Sequence, residues 1–269
     1  MLVFVCCFAP LYTKTLSVVC VGERSVIRTS HMKNIKFIVI VAIIISIPLS
    51  YYYGRSIWVP IYQQLAGKRS VDDIVQIYGA DVDERLKPYF EKAGVNYPPN
   101  EITLLAIKSE NRLELWVNEN NKPQFIRDYP VQAASGVLGP KLREGDKQVP
   151  EGIYQLEYLN PNSSYHLSLK INYPNLFDQK YASIEGRDKP GTNIFIHGKS
   201  VSIGCLAMGD NVIEELFVLV AKIGISNVTV AIAPKDPRIA KIENTTEMTW
   251  VNNLYEDLSI FFKKYKKNV

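Results

Sequence analysis

Cysteine is scarce in this chain and unevenly placed. Of 269 residues four are cysteine, at positions 6, 7, 20 and 205, so only Cys205 lies beyond residue 20. The part able to form a globular core has no even-numbered cysteine framework, which excludes a disulfide-stapled fold. Histidine is scarcer still, with three residues at 31, 166 and 197. No C-x-x-C or H-x-x-x-H pair is present, so His166, His197, Cys205 and Asp210 lack the close spacing of a zinc ligand set. A G-x-S-x-G elbow and a phosphate-binding P-loop are also missing. The net charge of +4 is small, and no basic stripe is interleaved with aromatics, which removes the usual footprint of nucleic-acid binding. Lysines 263, 264, 266 and 267 make a basic tail that reads as a solvated helix end. There is no internal repeat.

What is present is enough apolar material, 47% of residues, for one sizeable domain with appendages. Long hydrophobic runs are few, and one decides the topology. Met32 is followed by Lys33 and Lys36 and then by Phe37 to Leu49, a basic flank before an apolar stretch. Residues 1–31 therefore read as an upstream extension, and 32–54 as a signal anchor or signal peptide. With no A-x-A cleavage site after it, a retained anchor through residues 37–53 is the better expectation. The basic flank on its inner side places the rest of the chain outside the cytoplasm.

Residues 55–100 form a helical lead-in. Ser70 with Asp73 has the pattern of a capping box before Ile74, Ile77 and Tyr78. Gly79 is expected to end that helix, and a second short one to run from Asp83 to Ala93, stopped by Gly94. From Glu101 the period becomes that of strands. They are expected at 102–107, 112–117, 125–129, 153–158, 165–171, 193–196 and 228–232, with a hairpin turn at 108–111. Leu113, Leu115 and Val117 make one face of the second strand, alternating with Glu114 and Trp116. Two long irregular loops, about 135–150 and 172–192, are of a length that usually carries function. An amphipathic helix capped by Asn211 presents Ile213, Leu216, Phe217, Val220 and Ile223 and closes at Gly224. A last helix is expected over about 250–265. The result is a mainly β catalytic domain at 101–235 with packed-on helices and a helical tail at 236–269.

The chemistry concentrates in GTNIFIHGKSVSIGCLAMGD, residues 191–210. A lone cysteine is commonly a small buried hydrophobe. Here Cys205 follows Gly204, which lets a substrate approach the backbone, and it precedes a helix start whose dipole favours thiolate. His197 ends the preceding strand, with Phe195 on its face and Ile194 and Ile196 on the other. A thiol and an imidazole so placed suggest a nucleophile and its base. No Asp or Asn is positioned by spacing to orient the imidazole, so a backbone carbonyl is expected to. His166 is the rival base, or a residue lining the cleft, or simply a polar-face histidine.

The stretch IFIHGKSVSIGCLAMGD resembles the active-site signature of the YkuD-type L,D-transpeptidases, in particular their YafK-like branch. SGVLGPKLREGDKQVPEGIY at 135–154 and YHLSLKINYPN at 165–175 agree with it. The resemblance spans about residues 84–240. It implies a YkuD-like β-sandwich or barrel with packed helices and no cofactor. It assigns Cys205 as nucleophile, His197 as proton donor and acceptor, and Gly204, Ser202 and Gly198 as supporting motif positions. The backbone N–H groups of Gly204 and Cys205 would hold the oxyanion. Two departures stand out: Ile203 replaces the motif's second histidine, and Ala207 replaces the arginine that often follows the cysteine. Arg187 is the candidate to take over carboxylate recognition, and His166 is a second substrate-binding candidate. The implied substrate is the meso-diaminopimelate carbonyl of a peptidoglycan stem peptide, met at the periplasmic face. The acceptor is another stem peptide, a lipoprotein lysine or water. Three functions follow: a transpeptidase, a hydrolase of the same bond, or a wall-binding module in which Cys205 is merely packed.

Overall fold

The computed structural model describes residues 22–119 and 122–267, and the chain divides at Ile57 into two units. Cys6, Cys7 and Cys20, with most of the expected upstream extension, lie outside the described residues. In the first unit, α1 (Gly22–Tyr53) exposes Phe37 and the isoleucines and valines between Ile35 and Leu49. No single helix among the described residues is long and apolar enough to cross a membrane.

α2 (Arg55–Ala66) runs across the division, and the second unit carries α3 (Val71–Ala93) ahead of the sheet. The Ser70 capping box forms as expected: Asp73 N–H donates to Ser70 Oγ at 3.0 Å and Ser70 N–H to Asp73 Oδ2 at 2.7 Å. Gly79 does not end the helix. It is buried within α3, and Ile74, Val82, Leu86 and Phe90 form one continuous fully buried stripe along it. Helix-breaking propensity at one glycine costs only about 1 kcal/mol, which that stripe outweighs. Gly94 ends the helix in a left-handed conformation, as expected.

Nine strands follow: β1 (Ile102–Ile107), β2 (Arg112–Glu119), β3 (Lys122–Pro130), β4 (Ala133–Ala134), β5 (Gly152–Asn160), β6 (Ser168–Ile171), β7 (Phe195–His197), β8 (Leu206–Ala207) and β9 (Val228–Ala233). They hydrogen-bond in the order β3-β2-β1-β9-β5-β6-β7-β8-β4. Only β1–β9 and β7–β8 are parallel. β5 turns the corner of the sheet. Its first residues pair with β9 and its last with β6, and the register shifts between Leu156 and Tyr158. The mainly β class with packed helices is thus the observed one.

Both faces of the central strands are covered. On one side β1, β2, β9, α3 and α5 (Asp210–Ile223) close a core that includes Leu104, Leu115, Phe217 and Val230. On the other, Leu105, Trp116 and Ala231 pack beneath α6 (Trp250–Phe262). This second layer covers the face of Glu114 and Trp116, which the alternation alone left unassigned. Both are fully buried, and Glu114 accepts from Arg238 Nη1 and Nη2 at 2.9 and 3.0 Å and from Trp116 Nε1 at 2.9 Å. Alternation within a strand cannot show that a helix 130 residues later will cover its polar face.

The first long loop, 135–151, is rigidly tied despite lacking regular elements. Lys108 and Glu151 form an ion pair at 2.8 Å with side chains 5% and 0% exposed. Glu151 also accepts from Gly139 N–H at 2.7 Å and Tyr255 Oη–H at 2.9 Å. Removing one partner leaves the other charge buried alone, so Lys108→Met should lower stability by about 3–5 kcal/mol. Urea unfolding measures it; a loss under about 1 kcal/mol, typical of an exposed pair, would contradict this reading. The second loop is not irregular throughout: α4 (Leu176–Ile184) lies within it, started by an Asn175–Asp178 capping box.

Candidate active site

The parallel pairing of β7 with β8 builds the site. The eight residues 198–205 leave β7 at His197 and return so that Leu206 lies beside Ile196. Cys205 therefore falls next to Phe195, one pleat before His197. Ile196 and Leu206 point into the core and are 1% and 2% exposed. The alternate positions Asn193, Phe195, His197 and Cys205 line one cavity of about 330 Å³. Tyr165, Ser168, Val201 and Ile203 are among its other walls. Among the described residues, no lysine, arginine, aspartate or glutamate side chain lines it.

His197 is buried, and its Nδ1 lies 2.6 Å from the carbonyl oxygen of Gly198. A carbonyl only accepts, so Nδ1 carries the hydrogen and Nε2 is left as the basic nitrogen. The Tyr165 ring lies over the imidazole with centroids 4.8 Å apart. Burial holds the His197 pKa below the usual histidine value, opposed by the Gly198 bond. Gly198 has no room for a side chain: a Cβ there would lie 2.7 Å from the Tyr165 carbonyl oxygen and 2.8 Å from Asp210 Oδ1. Asp210 in turn accepts from Lys199 N–H at 3.0 Å and pairs with the Lys199 ammonium.

Cys205 is half-buried and donates weakly to the Asn193 carbonyl oxygen at 3.9 Å. Burial pushes its thiol pKa up, opposed by the Phe195 backbone N–H and the charge of Lys141. The expected helix-dipole assistance does not materialise. β8 intervenes, α5 starts only at Asp210 with Gly209 rather than Asn211 as its N-cap, and the dipole acts within about one turn. The resting pair is a neutral thiol and a neutral imidazole, suited to proton transfer during attack rather than to a standing ion pair.

The turn that carries Cys205 is pinned by two hydroxyls. Gly204 N–H donates to Ser135 Oγ at 2.5 Å, and Ser135 Oγ–H to the Lys147 carbonyl at 2.8 Å. Cys205 N–H donates to Ser202 Oγ at 3.1 Å, and Ser202 Oγ–H to the Cys205 carbonyl at 2.5 Å. The two amides assigned to an oxyanion are therefore already engaged. Gly204 sits at φ +95°, where a side chain is strained. Ser135 was missed in the sequence because its role depends on a contact 69 residues away.

Two substrate-binding candidates do not reach this cavity. His166 points elsewhere, at φ +79°, with Nε2 2.8 Å from Glu214 Oε1 and its ring edge-on to Tyr78. The strand expected over 165–171 starts only at Ser168, which removes the alternation that would have aimed His166 into the cleft. Arg187 donates to Glu185 Oε2 and to the Leu142 carbonyl, each at 2.7 Å. It lines a separate, larger cavity of about 720 Å³ with Arg143, Lys189 and Met248, and no cysteine or histidine is among the described residues that line it. Ala207 is fully buried.

The YkuD model, described as the L,D-transpeptidase catalytic domain, matches residues 102–237. The Escherichia coli K12 protein named "Putative L,D-transpeptidase YafK" is 36% identical over 118 residues, 43% of this chain and 46% of that protein. Its counterpart in strain O157:H7 matches equally. The chain thus spans about half the length of the curated relatives it matches. Among solved structures, the helical cell shape determining protein Pgp2 of Campylobacter jejuni aligns over 68% of this chain and 79% of its own, at 18% identity and TM-score 0.43. L,D-transpeptidase 1 of Mycobacterium tuberculosis aligns over 49% and 62%, at 14% identity and TM-score 0.28.

Proposed function

The chain belongs to the YkuD family of L,D-transpeptidase catalytic domains, and on that premise we propose that it is a peptidoglycan L,D-transpeptidase working through a cysteine acyl-enzyme. The observation that carries the reading is one cavity lined by a thiol and by an imidazole whose Nε2 is free to accept a proton. Cys205 Sγ attacks the meso-diaminopimelate carbonyl of a stem peptide while His197 Nε2 takes the thiol proton. The imidazolium returns that proton to the leaving amine as the C–N bond breaks, leaving a thioester on Cys205. A second amine, from another stem peptide, then attacks the thioester while His197 accepts its proton; the C–S bond breaks and the proton passes from His197 to the departing Cys205 sulfur, restoring the thiol. The exposed apolar run of α1 supports attachment to the inner membrane through residues 37–53, with the catalytic unit at 101–235 on the periplasmic face.

Hydrolysis of the same bond, including release of a wall-attached lipoprotein, is the second reading. One observation favours it: with Ala207 in place of arginine and no cationic side chain in the cavity, nothing there selects a leaving group that ends in a free carboxylate. Product analysis on purified sacculi separates the two. New diaminopimelate–diaminopimelate cross-links are expected from transfer; released lipoprotein or shortened stems without new cross-links would replace transfer by hydrolysis. A protein that leaves sacculi unchanged would sink both.

A further inference from the structure

The engaged amides of the nucleophile turn raise a question that the rest of the cavity answers. Acyl transfer builds negative charge on the carbonyl oxygen of the scissile bond, and a donor must meet it. Gly204 N–H and Cys205 N–H already donate to Ser135 and Ser202. Among the polar side chains of the cavity, Asn160 Oδ1 and Ser163 Oγ accept N–H groups of Asn162 and Tyr165, at 3.0 and 3.1 Å, which folds both side chains back onto their own turn although each keeps a hydrogen to donate. Ser168 and Tyr165 stand on the His197 side, the first paired in register with His197 and the second with its ring tilted at 37° against the imidazole.

Asn193 is placed differently. Its own carbonyl oxygen is the group that the Cys205 thiol touches, at 3.9 Å. It lies in the left-handed region at φ +59°, a conformation that asparagine tolerates but that is held at a cost unless the surroundings require it. Its side chain is exposed to the cavity, and its carboxamide has no hydrogen-bond partner among the described residues. An unpartnered N–H donor thus belongs to the residue whose backbone carbonyl the sulfur touches, and that residue lines the same cavity.

We propose that Asn193 is a further catalytic residue, whose carboxamide N–H donates to the substrate carbonyl oxygen as it becomes an oxyanion. The proposal rests on the acyl-enzyme reading above. It keeps the nucleophile turn intact through the reaction, since neither Ser135 nor Ser202 has to release its amide.

The test compares two reactions of Cys205. Acylation by a carbapenem passes through an oxyanion; alkylation by iodoacetamide displaces iodide from carbon and forms none. Asn193→Gly keeps the left-handed backbone and removes only the amide, and Asn193→Asp keeps the shape but replaces the donor with a carboxylate. Both are expected to slow acylation by roughly 10²–10³-fold, the usual loss for one such donor, while alkylation stays within about threefold of wild type. Asn193→Gly acylating as fast as wild type would overturn the proposal. Acylation and alkylation slowed by the same factor would also overturn it, because Asn193 would then only shape the backbone around the thiol. If wild type itself is not acylated while its thiol is alkylated, the acyl-enzyme reading fails first, and this proposal with it.

Discussion

Cys205→Ala should abolish product formation from sacculi while leaving the melting temperature within a few degrees of wild type. No other nucleophile of comparable strength lines the cavity, where the remaining polar side chains are hydroxyls, amides and one imidazole. Removing an activated nucleophile costs on the order of 10⁶-fold in turnover, and water held by the rest of the site does not make that up. The thiol is half-buried at the cavity wall, and its contact with the Asn193 carbonyl is a weak one at 3.9 Å. Truncating it therefore removes little packing. Retained turnover would mean that the reaction does not pass through a Cys205 thioester. Lost turnover with a large fall in melting temperature would mean that the cysteine is structural.

The second large effect concerns His197, through both rate and pH. His197→Gln keeps a group able to meet the Gly198 carbonyl but removes the base, and should slow acylation by about 10²–10⁴-fold near neutral pH. Burial lowers the imidazole pKa below about 6.5 and raises the thiol pKa, so between those limits both groups are neutral. In wild type, acylation should hold a plateau across that window and fall only as acid protonates the imidazole. In His197→Gln it should climb about tenfold per pH unit, because only the thiolate fraction reacts. The two curves should converge as pH nears the thiol pKa; parallel curves would remove His197 from proton transfer. The depressed pKa also has a stability consequence. The unfolded state takes up the proton first, so stability is full above about pH 6.5 and is lost as pH falls towards the folded-state value.

Much of the fold was legible because its signals are local. The Ser70 box, the Gly94 and Gly224 stops and the strand runs at 102–107, 112–117 and 228–232 each depend on residues within a few positions of one another. What escaped is non-local. Gly79 stays helical because residues from the sheet bury that side of α3. Glu114 and Trp116 turn inward because α6 and Arg238 cover them. Glu214 and Glu215, near the start of α5, are buried where they bond Arg85, Arg127 and Tyr129 and so hold α3 and β3 against it.

The same division runs through the site. That Cys205 and His197 would line one cavity was readable from their spacing, eight positions apart between a strand end and a helix start. The direction of the thiol pKa was not, because it depends on β8 standing between Cys205 and the helix. Nor was the separation of His166 and Arg187 from the cavity, which follows from a positive φ at one and a carbonyl contact at the other. Ser135 and Asn193 carry no motif that marks them. The first is known by its bond to Gly204, and the second by the lack of any bond to its amide.

The central claim is that the Cys205 sulfur becomes an acyl carrier. Intact-mass spectrometry of the full chain after incubation with a carbapenem, followed by peptide mapping, tests it most directly. The expected result is one adduct of the whole probe mass on the peptide that contains Cys205, absent from Cys205→Ala, with Cys6, Cys7 and Cys20 unlabelled. A folded protein that gains no mass, or gains it on any other residue, would contradict the account.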